Sequence, residues 1–294
     1  MTDIAQSALL PRPNVYRQPD ANDAKTGDIS KALPLWERLR SNTMFRRGCI
    51  LVLLAAAWQG YATYLQNDLL VPSFWASLTA LYEAFVHGPL LWRMLYSIQV
   101  LLTGYIIGAV LAGVLVSLAV STKWGSDLLA TLTAMLNPLP AIALLPLALL
   151  WFGLGMSSMV FVIVHSVLWA VALNAQTGFQ SVSETLRMAG QNFGLRNMRY
   201  IFGILVPAAF PSILNGLKIG WAFAWRTLIA AELVFGATSR SGGIGWFIFE
   251  NRNSLETANV FAGLLTVIVI GLLVDGLIFR AIERRTVRRW GMQR

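Results

Sequence analysis

The sequence predicts an all-α membrane protein with six transmembrane helices. Of the 294 residues, 56% are hydrophobic and only 13% charged, where an ordinary soluble domain carries about 25% charge. Mean hydropathy is +0.60. The apolar residues gather in long runs instead of alternating with polar ones, and most cations lie at the two ends and in one loop between runs. Six runs, at 48–65, 94–120, 127–151, 158–176, 207–235 and 257–280, approach the ~20 residues that cross ~30 Å of hydrocarbon. The fourth is short and the fifth long, so tilt or a kink is expected in them.

Ahead of the first run, residues 1–47 hold eight Lys or Arg. They lack the short apolar core and small-residue cleavage site of a signal peptide. Residues 1–30 read as a disordered tail. "LPLWERLRSNTMFRR" is either an amphipathic helix on the membrane surface, with Trp36 and Leu39 toward lipid, or more tail. The first span, 48–65, contains the single cysteine, Cys49, which excludes an intramolecular disulfide and a Cys-based metal site.

Charge sets the orientation. With the N-terminus in the cytoplasm, the inner segments hold 18 Lys or Arg: eight in 1–47, then Lys123, Arg187, Arg196 and Arg199, and six in 280–294. The outer segments hold Arg93, Arg240 and Arg252. This asymmetry puts both termini in the cytoplasm. The net charge of +9 is thereby explained without nucleic acid.

"GYIIG" (Gly104 to Gly108) in the second span and "GLKIG" (Gly216 to Gly220) in the fifth let helix backbones approach closely. The third span contains "NPLPAIALLP", with Asn137, Pro138, Pro140 and Pro146. Proline there frees backbone carbonyls, so this span is expected to kink and to be buried in protein. His165 reads as a packed, hydrogen-bonded residue of the fourth span. No GxxxxGK[ST] loop, HExxH, Gly-x-Ser-x-Gly or catalytic acid pair occurs, so no enzyme is expected and no cofactor or metal in this chain.

The loop 181–206 is longer than most connections. It keeps Leu186, Met188, Phe193, Leu195, Met198, Tyr200 and Phe202. "SVSETLRMAG" opens like a helix, with Ser181 or Ser183 as cap and Glu184 in the first turn. Gly190 and Gly194 permit a sharp turn into a second short helix. Such a cytoplasmic knob of apolar side chains fits a soluble partner.

This segment resembles the coupling loop of binding-protein-dependent ABC importer permeases, whose pattern is Glu-Ala-Ala, three residues, Gly, and a Leu-Pro thirteen residues later. Gly194 takes the Gly position, since Pro207 follows at that distance; Ala189 matches the first Ala and Gly190 replaces the second. Met188 stands where the pattern has Glu, and Val206 where it has Leu. "NPLPAIALLPLALLWFGLG", "PAAFPSILNGLKIG", "AAELVFG" with "GGIGWFIFENRNS", "VPS" and "LLVD" resemble the nitrate/sulfonate/taurine-type branch.

The resemblance implies a type I ABC importer permease, with one peripheral helix (48–65), a five-helix core (66–282) and a basic C-terminus (283–294), in a bacterial inner membrane and in contact with lipid. Two copies would form the pathway. Two ATP-binding cassette subunits, holding ATP and Mg, would dock on Ala189, Gly190, Phe193, Gly194, Leu195 and Arg196. A periplasmic substrate-binding protein would meet the outer loop 236–256 at Arg240, Gly243, Trp246 and Arg252, although Trp246, Phe247 and Phe249 also fit an interfacial aromatic belt. "GYIIG" and the Pro-rich span offer faces for the second copy.

The pathway residues would be Arg226, Glu232, Asn137, Pro138 and Pro140. Six residues of helix turn ~600°, so Arg226 and Glu232 point to roughly opposite faces. Arg226 is either a positive charge in an anion path or part of an interhelical ion pair or snorkel; Lys218 is expected to snorkel; Glu232 is also a candidate for holding the outer end of its helix. The solute expected is a sulfonate, taurine or nitrate; a heterocycle such as an aminopyrimidine or riboflavin-like compound is the alternative. A gradient-driven transporter would show inverted repeats and an ion site, and the Pro-rich span has no second copy.

Overall fold

The computed structural model describes residues 42–235 and 242–286. The calls on residues 1–41, on Arg240 and on 287–294 lie outside the described residues. The chain divides into a unit through Ala57 and a unit from Trp58 onward.

α1 (Thr43–Leu65) runs through that division and starts where the Asn42 side chain accepts the Met44 N–H at 2.9 Å, an N-cap. Beyond Arg46 and Arg47 in its first turns α1 is predominantly apolar, and only Ala62 is buried. That pattern suits a helix whose solvent is lipid.

The second unit contains α2 (Phe74–Val86), α3 (Leu90–Ser121), α4 (Lys123–Leu136), α5 (Leu145–Phe152), α6 (Met156–Gln180), α7 (Glu184–Asn192), α8 (Asn197–Tyr200), α9 (Val206–Phe235), α10 (Ile244–Asn253), α11 (Thr257–Leu273) and α12 (Arg280–Arg285). Among the described residues five helical stretches are long and apolar enough to cross a membrane: Thr43–Leu65, Leu90–Ser121, Met156–Gln180, Ile201–Val234 and Thr257–Arg285. α4 and the stretch Ala141–Phe152 make a sixth candidate, bent by 86° at the break.

That break is the expected kink, and its cause is local. Pro138 and Pro140 cannot donate backbone hydrogen bonds, so α4 ends at Asn137, and a 3-10 turn at Ala141–Leu144 restarts the chain toward α5. The fourth span is not short: α6 has 25 residues. The fifth is continuous with a π-helical stretch, Ile201–Leu205, closed by the Val206 N–H on the Ile201 carbonyl. The wider turn precedes Pro207, whose ring would otherwise press on a carbonyl four residues back. A second π-helical stretch, Val274–Phe279, continues α11.

α6 is the axis of the unit and the most buried long helix (56%, against 6% for α1). Glycine makes this possible. A Cβ on Gly104 would lie 2.6 Å from the Ile163 side chain, one on Gly108 2.8 Å from Val167, and one on Gly216 2.7 Å from Asn174. Both glycine pairs therefore seat neighbouring helices on α6. This corrects the expectation that "GYIIG" faces a second copy: it is consumed within the protomer. α3 is also tied to α9 by the Tyr105 hydroxyl, which donates to the Leu217 carbonyl at 2.8 Å.

α2 and α10 were not expected as helices. Ser73 caps α2 by accepting the Ala76 N–H at 3.1 Å. Lys218, expected to snorkel, pairs instead with Asp275 at 3.0 Å, joining α9 to the π-helical stretch after α11.

Candidate functional site

Three places carry the singled-out residues. The first is a cavity of about 250 Å³ where the broken helix meets α6 and α9. Asn137, Leu139 and Ala141 come from the break, His165, Ser166, Trp169 and Ala170 from α6, and Phe223, Arg226 and Thr227 from α9. Irregular backbone within a membrane domain is tolerated where it lines such a space. Pro138 and Pro140 are exposed beside it.

Arg226 forms no ion pair among the described residues. Its Nε donates to the Ala222 carbonyl of its own helix at 3.1 Å, and its guanidinium lies 5.1 Å from the centre of the Phe223 ring. Within the described residues the guanidinium therefore has no acid partner and stands exposed at the cavity. Around it, the Ser166 and Thr227 hydroxyls are hydrogen-bonded at 2.8 Å. Among the described residues the buried ring nitrogens of His165, expected to be hydrogen-bonded, and the buried Trp169 indole N–H have no partner of regular hydrogen-bond geometry. The cavity thus offers a cation, an amide and the Thr227 and Ser166 hydroxyls, a polar lining that suits a small oxyanion.

The second place is the start of α10. Glu232 does not line the Arg226 cavity; it is 2% exposed. One carboxyl oxygen accepts the Ser97 hydroxyl at 2.7 Å and the other accepts the Gly245 N–H at 2.7 Å. Ser97 Oγ in turn accepts the Ile244 N–H at 2.9 Å. Side chains of α3 and α9 thus cap the N-terminus of α10, whose own cap residue, Gly243, has no side chain to offer. A Cβ on Gly243 would collide with the Glu232 carboxyl and the Ser97 hydroxyl. Gly243 is buried, so it presents no surface to a binding protein. The segment read as a loop is helical from Ile244, with Phe247 buried (4%) and Trp246 stacked on Phe249; Arg252 is exposed. Arg93 closes the network, donating to the Gly242 carbonyl at 3.2 Å and pairing with Glu250 at 3.0 Å.

The third place is the turn between α7 and α8, at the opposite end of α9. Gly190 is buried where a Cβ would lie 3.0 Å from Ile204 and 3.2 Å from Tyr200, so α7 crosses the start of the long helix closely. Arg187 donates to the Phe179 and Val182 carbonyls, satisfying acceptors freed at the end of α6. The chain reverses at Gly194 with φ +73°, and the Leu195 N–H returns to the Gly190 carbonyl at 3.1 Å. Leu195, expected as a second docking anchor, is half-buried, near Gly203. Phe193 stands out at 85% exposure, with Met188 and Arg196 also exposed.

Long apolar helices, one broken pair and a polar cavity beside the break place the chain among multi-pass membrane proteins. Residues 104–288 match the family described as "Binding-protein-dependent transport system inner membrane component", and the chain belongs to that family. It is 31% identical over 245 residues to the taurine transport system permease protein TauC of Escherichia coli, covering 81% of this chain and 86% of that protein. It is 29% identical over 224 residues to the putative aliphatic sulfonates transport permease protein SsuC of the same species, covering 76% and 83%. To the nitrate import permease protein NrtB of Synechocystis it is 34% identical over 175 residues, covering 60% and 62%.

Proposed function

We propose that this chain is the membrane subunit of an ATP-driven importer for a small oxyanion of the sulfonate, taurine or nitrate kind. Six spans cross the membrane, the bent pair counting as one and α1 being peripheral. Both termini and the α7–α8 turn lie in the cytoplasm, where two ATP-binding cassette subunits dock. The α10 end faces the periplasm and receives solute from a binding protein. Two copies of the chain enclose the pathway between their α6–α9 faces. The names of the relatives support the solute class, and one observation carries it: Arg226, without an acid partner, facing a cavity of neutral donors.

An unpaired charge within a span is expensive unless it faces water or a ligand. A fixed cation offsets part of the cost of drawing an anion out of water. Arg226→Gln keeps the size and most hydrogen-bonding capacity but removes the charge. ATP-driven uptake of radiolabelled taurine, nitrate or methanesulfonate into proteoliposomes is expected to fall about tenfold, a change worth ~1.4 kcal/mol, with the complex assembling at normal yield. Normal uptake by this variant would rule out the anion role. The same preparation tests the dimer: its native mass should contain two copies of this chain, and one copy beside a different permease would refute the pairing.

A further inference from the structure

We propose that the α6–α9 groove holds a second, uncharged binding station for the transported oxyanion at Asn174, Thr177, Ser212 and Asn215, divided from the Arg226 cavity by an apolar waist. This rests on the pathway reading above and extends it toward the cytoplasm.

Helix geometry puts the two stations on one face. Ser166 and Thr177 on α6 are eleven residues apart, as are Asn215 and Arg226 on α9. Eleven residues advance ~16 Å and return to within about 20° of the same direction. Each helix therefore carries a polar residue at both levels of a single groove. At the inner level there is a cavity of about 320 Å³ lined by Leu173, Asn174, Thr177, Pro211, Ser212 and Asn215.

The inner lining carries no charge. Asn215 Nδ2 donates to Asn174 Oδ1 at 3.0 Å, and Asn174 Nδ2 donates to the Ala170 carbonyl at 2.8 Å. One amide thus fixes the other and leaves the exposed Asn215 a second N–H for a ligand. The Thr177 hydroxyl is directed to the Leu173 carbonyl at 2.9 Å. Amides and hydroxyls on spanning helices are costly against lipid; clustered around a cavity, they belong to an aqueous path.

Between the levels the same faces carry Ala170 and Leu173 on α6 and Ile219 and Ala222 on α9. Where a pathway narrows at an apolar stretch of this kind, it loses its water and conducts when widened. The order of stations also fits import. An oxyanion drawn in at the cationic outer level must be released, and neutral donors hold it more weakly than a guanidinium. Conduction needs sites that bind without trapping.

The test uses the whole importer in proteoliposomes, with Cys49 replaced by Ser so that an introduced cysteine is alone. Asn215→Cys is treated with an anionic, membrane-impermeant methanethiosulfonate. It should be modified, with a rate that changes several-fold between nucleotide-free and ATP-trapped states, while Val110→Cys on the exposed apolar face of α3 should not react. Uptake of labelled taurine, nitrate or methanesulfonate should fall at least tenfold in Asn215→Leu and recover partly in Asn215→Gln. An Asn215→Cys inert in every state, or an Asn215→Leu transporting at the normal rate, overturns the station. If Asn215→Cys is modified as expected while the unmutated importer takes up none of the three anions, the groove is an aqueous path but both the oxyanion station and the solute assignment fail.

Discussion

Gly243→Ala is expected to remove most folded protein from the membrane fraction and to lower the melting temperature of what remains. The new methyl group falls where the Glu232 carboxyl and Ser97 hydroxyl already lie. Overpacking of this kind costs about 1–3 kcal/mol. Moving the carboxyl aside costs more, because the Gly245 N–H depends on it directly and the Ile244 N–H depends on Ser97 beside it. Each buried donor left unpaired adds about 1–3 kcal/mol. The total reaches several kcal/mol, a large share of the ~5–15 kcal/mol that holds a domain together. Backing away is blocked at the next glycine as well: a Cβ on Gly245 would lie 2.8 Å from the Ile229 carbonyl, which is backbone. The mechanism predicts non-additivity. In a background carrying both Ser97→Ala and Glu232→Ala the two polar groups that the methyl meets are gone, so Gly243→Ala should then cost little further stability. Equal shifts in melting temperature in both backgrounds would disprove the clash.

The same network shows why part of the fold escapes a linear reading. Runs of apolar residues announce the long helices, and Pro138 and Pro140 announce the break, because both signals are local. The start of α10 has no local signal. Its cap comes from Glu232, thirteen residues upstream on another helix, and from Ser97, on a third. Without those partners, "GGIG" reads as a turn. "GYIIG" shows a different limit: small residues mark a close approach without naming the partner, which is α6 of the same chain. Arg226 is legible as a candidate from residue type alone, and Asn137 from the motif around Pro138 and Pro140 that carries the resemblance. That they share a cavity with His165, Ser166 and Thr227 follows only from how α6 and α9 pack on the break. Lys218 and Asp275 meet for the same reason, across a separation that no helical period spans.

Phe193→Ala is expected to abolish ATP-driven uptake while leaving the permease itself as stable as before. Phe193 is 85% exposed, so the protomer gains little from its ring. The surrounding turn is held firmly: Gly190 is pressed against Ile204 and Tyr200, Arg187 is tied to the end of α6, and the backbone reverses at Gly194 in a left-handed conformation that glycine adopts freely. A large aromatic group on a fixed support is what an interface anchor requires, because ordering it on binding costs little. Truncating such an anchor commonly costs ~2 kcal/mol or more, about thirtyfold in affinity, and an importer with two copies of this chain would suffer it at both ATPase contacts. Leu195→Ala should behave differently. Leu195 is half-buried, near Gly203, so its loss should loosen the turn and lower the melting temperature of the isolated permease together with uptake. Co-purification of the ATPase and uptake rate, measured beside that melting temperature, separate the two roles. If Phe193→Ala retains its ATPase and imports at the normal rate, the α7–α8 turn is not the site of coupling.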